Sequence, residues 1–134
     1  MADHDPPLPK PVHWVGSSRD DLRKFPDEVQ REIGQALWFA QMGDKHPSTK
    51  PLKGFKGAGV LEIVEDYSGD TYRAVYTVRF AKAIYVLHTF KKKSTRGIKT
   101  RKHEIDLIEA RLKWAKVDYE QWLKETSNED KTSN

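Results

Sequence analysis

An α+β fold is predicted by the order of patterns along the chain: two amphipathic helices, three strand-like runs joined by short turns, then one long helix. Period-two alternation is plainest over 71–80, and helical periodicity is plainest from Ile105 to Trp122. A length of 134 residues suits one domain around one core. The expected architecture is a small antiparallel sheet packed against two N-terminal helices and a C-terminal helix, with the helices covering one face.

Residues 1–11 hold four prolines and few apolar groups, so they read as an extended or disordered tail. Val12, Trp14 and Val15 form a short strand-like run that ends at Gly16. Ser17 and Ser18 offer an N-cap to a short helix with Asp20 and Asp21 in its first turn. Pro26 breaks that helix and suits the first turn of the next. There Val29, Ile33, Ala36, Leu37 and Ala40 recur at helical spacing, and Gly43 closes the element.

A basic loop leads to runs at 60–66, 71–80 and 84–90, with Tyr67-Ser68-Gly69-Asp70 as the first turn of the meander. In the middle run Tyr72, Ala74, Tyr76, Val78 and Phe80 share one face, and Arg73, Val75, Thr77 and Arg79 share the other. Ile105, Ile108, Leu112, Ala115, Tyr119 and Trp122 make the apolar stripe of the last helix. Everything from Glu125 onward is polar and is expected to fray, leaving 12–124 as the folded domain and 125–134 as a flexible tail.

Composition excludes several classes of chemistry. The chain has no cysteine, hence no disulfide framework, no thiolate nucleophile and no Cys-ligated zinc. No apolar stretch approaches the roughly 20 residues of a membrane span, and the N-terminus lacks the apolar core of a secretion signal. A cytoplasmic protein with no membrane partner is expected. The five histidines are scattered, and His103-Glu104 is not followed by the second histidine a zincin requires, so no metal and no cofactor are expected. Gly54, Gly57 and Gly59 lack the Lys-Ser/Thr ending of a P-loop and read as a flexible connection.

Charge is distributed unevenly. The net charge is only +4, yet Lys45–Leu61 holds four lysines and Lys91–Lys102 holds seven bases, both without an acid. Two basic islands on an otherwise acidic body point to a polyanion, and their places beside strands of one sheet let them converge. RNA fits such a surface, because phosphates take the cations and unpaired bases stack on aromatic rings. RNA also brings its own nucleophile, the 2′-hydroxyl. Cleavage then needs alignment, stabilisation of the phosphorane charge and proton transfer, all within reach of arginine, lysine and histidine without a metal. The bland alternatives are an ion pair of Arg73 with Glu62 or Glu65, a strand His88 satisfied by backbone, an ordinary first-turn His103 and a solvated Lys93.

Three segments carry a family resemblance: Lys50-Pro51-Leu52-Lys53-Gly54, Tyr67-Ser68-Gly69-Asp70-Thr71-Tyr72-Arg73 and Leu87-His88-Thr89-Phe90-Lys91-Lys92-Lys93. In this order, with two helices before and one after, the chain from Val12 to Trp122 resembles the RelE/ParE toxin superfamily, in its HigB-like, phage-derived branch. The resemblance implies a RelE-like fold and the toxin of a type II toxin–antitoxin system. Such a toxin is a ribosome-dependent mRNA endoribonuclease (an mRNA interferase), a hydrolase that inhibits translation. Its implied partners are mRNA on the ribosome and a cognate antitoxin protein of helix-turn-helix type.

By position, Arg73 matches the strand arginine that contacts the scissile phosphate, and Lys53 and Lys56 match loop lysines. Lys92, with Lys91 or Lys93, matches the basic residue after the last strand, and His88 the histidine of a Leu-His-x-Phe motif. Several members place a tyrosine early in the final helix; this chain has none there, and His103 stands near that position. The implied catalytic set is therefore Arg73, Lys92, His88, Lys53 and His103. The implied RNA-binding set is Lys50, Lys56, Lys91, Lys93, Arg96, Lys99, Arg101 and Lys102. Two further readings stand beside it: a non-catalytic RNA-binding prophage module, and a ParE-like topoisomerase inhibitor, for which the lysine cluster beside Arg73 serves no purpose.

Overall fold

The computed structural model describes residues 8–55, 57, 59–93 and 101–132. The elements in order are β1 (Val12–Trp14), α1 (Ser18–Leu22), α2 (Asp27–Gln41), β2 (Thr49–Pro51), β3 (Val60–Tyr67), β4 (Asp70–Thr77), β5 (Ile84–Lys93) and α3 (Lys102–Thr132). The strands form one sheet in the order β1-β5-β4-β3-β2. The expected meander β3-β4-β5 is its antiparallel centre, and the α+β class holds. Two short edges complete it: β1 pairs parallel with β5, and β2, read from sequence as loop, pairs antiparallel with β3.

The helices do not share a face. One core packs α1 and α2, through Leu22, Val29, Ile33, Ala36, Leu37 and Ala40, against Ile63, Tyr72, Ala74, Tyr76, Ile84 and Val86. A second packs α3, through Ile108, Ala115 and Tyr119, against Val60, Val75, Tyr85 and Leu87 on the opposite side. The physical reason lies in the strands: β4 is buried on every residue from Thr71 to Thr77, so both of its faces need a cover. The α2 positions buried are the ones helical spacing selects, and the α3 stripe lies on or beside the second core.

Local chemistry explains the boundaries. Tyr67 pairs with Asp70 across a two-residue turn in which Ser68 (φ 51°) and Gly69 (φ 86°) are both left-handed, the geometry that matches strand twist in a hairpin. β4 stops at Thr77, short of the expected Phe80, because Thr77 Oγ1 donates to Gly59 O and accepts from Arg79 N, turning the chain out. Val78 is consequently exposed and Phe80 enters the α3-side core instead of the Tyr72 row. Ser17 occupies the N-cap of α1, but its hydroxyl donates to the Asp21 carboxylate (2.8 Å) and does not cap backbone. Pro26 sits at the N-cap of α2, one position before its expected place.

Both expected tails are shorter than the sequence suggests. Lys10 N donates to Gln41 O, and Ile84 N to Pro11 O, so the end of the proline-rich segment is tied to the sheet and to α2. At the other end α3 runs to Thr132, because nothing in 125–132 is glycine or proline and the polar residues there are helix-compatible.

The α2 core sets a stability expectation. Ile33→Ala empties a fully buried site and should cost about 2–5 kcal/mol in urea unfolding followed by tryptophan fluorescence. Val117→Ala, on the exposed side of α3, should stay within about 0.5 kcal/mol of the parent. Equal midpoints for the two variants would contradict the packing of α2 on the sheet.

Candidate functional site

The site forms where the α3-side face of the sheet runs past the N-terminal end of α3. Strict alternation from Tyr85 through Leu87 would put His88 on the α2 face. The register between β4 and β5 shifts at this point: Val75 pairs with His88 and Tyr76 with Val86, leaving Leu87 as an extra residue. This bulge returns His88 to the α3 side, and Phe90 and Lys92 follow it by alternation. His88 and Phe90 stack there with centroids 4.7 Å apart.

Under this surface lies Arg73, only 2% exposed, its Nη1 donating to Glu62 Oε2 at 2.8 Å. Lys50, from the edge strand β2, adds a second cation 3.8 Å from Glu62. The ion pair with Glu62, the bland alternative in the sequence, therefore exists. Arg73 sits beneath the surface, and the carboxylate that holds it is itself buried.

Above it opens a cleft of about 310 Å³ lined by Phe90, Lys91, Lys92, Arg101, His103 and Glu104. Burial, followed by the positive charges of Arg73 and Arg101, lowers the pKa of Lys92. Lys91 goes the other way, raised by its hydrogen bond to Asp70 (3.1 Å). Glu104, in the first turn of α3, joins two histidines: its Oε2 lies 2.8 Å from His88 Nε2 and its Oε1 3.0 Å from His103 Nε2. His103 is otherwise exposed.

On the other side of His88, Arg111 Nη1 donates to Leu87 O (2.9 Å) and lies 3.4 Å from His88 Nδ1. Arginine has donors only, so Nδ1 is the acceptor and Nε2 carries the proton given to Glu104. Burial is the main cause that lowers the pKa of His88; Arg111 adds to it, and Glu104 and Asp21 oppose it. Gly16 makes room for this arginine: at φ +56° it lies so close that a Cβ would meet Arg111 Nη2 at 2.8 Å.

Of the expected residues, the structure brings together Arg73, Lys92, His88, His103, Lys50, Lys91 and Arg101. Lys53 is exposed on the turn after β2 and does not line the cleft. Lys102 points outward to Asp106 at 3.6 Å. Lys56, Arg96 and Lys99 lie outside the described residues, as does the side chain of Lys93. Phe90, Glu104 and Arg111 are outside the site set expected from sequence, and Glu62 is expected there only as an ion-pair partner of Arg73; Glu104 and Arg111, seven apart, flank the apolar stripe of α3, which is the one signal that could have found them. Among the described residues no cluster of three or more His, Cys, Asp or Glu is placed to hold a metal ion, and no helix is long and apolar enough to cross a membrane.

Comparison with known proteins gives a family match and a distant likeness to solved structures. A family model described as phage derived protein Gp49-like (DUF891) matches residues 20–113. Among solved structures, a double mutant of the E. coli toxin RelE in the free state is 18% identical with a TM-score of 0.49, covering 67% of this chain and 88% of that one. The toxin–antitoxin complex RelBE2 from Mycobacterium tuberculosis gives 18% identity and a TM-score of 0.44, covering 65% of this chain and 100% of that one. No curated protein matches.

The buried histidine has a consequence for stability. With its folded pKa below the ordinary 6.5, the unfolded chain binds the extra proton first as pH falls. Stability is then whole above 6.5 and declines between 6.5 and the lower folded value. Thermal melts from pH 7.5 to 5 should show this loss in the parent and a smaller one in His88→Gln; parallel losses would remove His88 as the cause.

Proposed function

The chain belongs to the phage-derived Gp49-like family, the branch its motifs resemble, and on that premise we propose that it is the toxin of a type II toxin–antitoxin pair that cleaves mRNA on the ribosome. The observation that carries this reading is the cleft itself: two cations, Lys92 and Arg101, beside a carboxylate, Glu104, that the buried His88 contacts from behind. Phosphate is the ligand that such a surface takes, and the 2′-hydroxyl of RNA needs the proton acceptor that lies next to it.

Lys92 and Arg101 engage the scissile phosphate. Lys92, with its lowered pKa, also gives a proton to the departing 5′-oxygen. Arg73 works from below: its buried charge raises the potential of the floor and helps depress Lys92. Phe90, half-buried at the rim of the cleft, offers a ring on which a base can stack. Lys50 and Lys91 extend the cationic surface along the strand ends. A cognate antitoxin, cytoplasmic like its toxin, holds the activity in check by covering this surface. A topoisomerase inhibitor has no use for the proton-transfer groups of the cleft.

Mapping mRNA 5′ ends in a translating extract tests the reading. New ends inside translated frames are expected with the parent chain and should fall by about 100-fold or more with Lys92→Ala. Arrest of translation without new ends would identify a non-catalytic RNA-binding module. Absence of arrest would turn attention to topoisomerase.

A further inference from the structure

Both nitrogens of the most buried histidine in the site are already engaged. Nε2 of His88 gives its proton to Glu104 at 2.8 Å, and Nδ1 faces the Arg111 guanidinium at 3.4 Å. His88 is only 7% exposed and is absent from the lining of the cleft, whereas Glu104 lines it together with Lys92. A neutral imidazole held this way has no lone pair to offer a substrate; protonating Nδ1 would set it against Arg111. The groups facing the imidazole are Glu104 and Arg111 from α3, with Asp21 of α1 farther off. The carboxylate, by contrast, faces the cleft, its Oε2 accepting from His88 Nε2 at 2.8 Å and its Oε1 3.0 Å from His103 Nε2.

We propose that Glu104, and not His88, is the general base that takes the 2′-hydroxyl proton, with His88, His103 and Arg111 as positioning residues; this rests on the nuclease reading above. In the step, the O2′–H bond breaks and the proton passes to a Glu104 carboxylate oxygen. The O2′ electron pair forms the bond to phosphorus, and the P–O5′ bond breaks with its oxygen protonated by the Lys92 ammonium. The products are a 2′,3′-cyclic phosphate and a 5′-hydroxyl, and the chain returns to its starting state when the proton on Glu104 exchanges for the one Lys92 has lost. His88 holds the carboxylate in place as a hydrogen-bond donor from beneath, and Arg111 holds His88 in the tautomer that can donate.

Single-turnover cleavage of end-labelled mRNA in programmed ribosomes, followed from pH 5 to 9, separates base from positioning group. Glu104→Gln keeps the shape and the hydrogen-bonding reach but loses the base, so its rate should fall by about 100-fold or more with ribosome binding unchanged. Glu104→Asp should retain an intermediate rate. His88→Gln still has an N–H to give to Glu104; it should lose much less rate and move the acid limb of the pH profile. Cleavage by the parent together with an undiminished Glu104→Gln rate overturns this assignment alone. A His88→Gln loss as deep as that of Glu104→Gln, with an acid limb that does not move, returns the base to His88. A parent chain that cuts nothing overturns the nuclease reading and this assignment with it.

Discussion

The candidate site depends on one extra residue in β5. Leu87 stands unpaired between Val86 and His88, and because of it Tyr85, Leu87, His88, Phe90 and Lys92 can all serve the α3 side of the sheet. Tyr85 and Leu87 remain core residues under α3, while the next three positions on that face belong to the candidate site. A strand of unbroken alternation would have sent His88, Phe90 and Lys92 towards α1 and α2, away from Glu104 and Arg101. The bulge therefore joins a packed half of the strand to a chemical half without a break in the backbone.

Beneath that surface lies the buried ion pair Arg73–Glu62. Breaking such a buried pair costs about 3–5 kcal/mol, chiefly because it strands an uncompensated charge. Its placement is informative beyond stability. The guanidinium and Lys92 are diagonal neighbours on one face of the sheet, so a group committed to the fold also acts on the potential felt by a group in the cleft. Structure and chemistry share the same charge, and a substitution at Arg73 therefore changes both together.

α3 contributes in two ways along its length. Its later turns lock it to the sheet, with Tyr119 accepting the Lys82 backbone N–H and Asp118 accepting from the Tyr85 hydroxyl. Its first turns carry Glu104 and, two turns on along the side facing β5, Arg111. The anchored end fixes the first turns as well, which keeps Glu104 in its 2.8 Å hydrogen bond with His88. The open cleft and the buried contacts around His88 are thus two consequences of one helix laid across one strand end.

Periodicity alone determined a large part of this protein. The apolar rows of α2 and α3, the three-stranded meander, the Ser68-Gly69 turn and the two basic islands were all legible, because each depends on residues close in sequence. The motifs at Lys50, Arg73 and His88 placed the chain in its family from the same short stretches. The tertiary structure decided the rest. A bulge leaves no mark in the run Ile84 to Phe90, since every residue there is compatible with either face. β2 has only three residues and gains its identity from β3. The split of the helices over two faces followed from β4 being buried on both sides, a fact about neighbours and not about β4's own alternation. Glu104 and Arg111 became site residues for the same reason: their partners are 16 and 23 residues away in the chain, and only the packing of α3 on β5 brings them to His88.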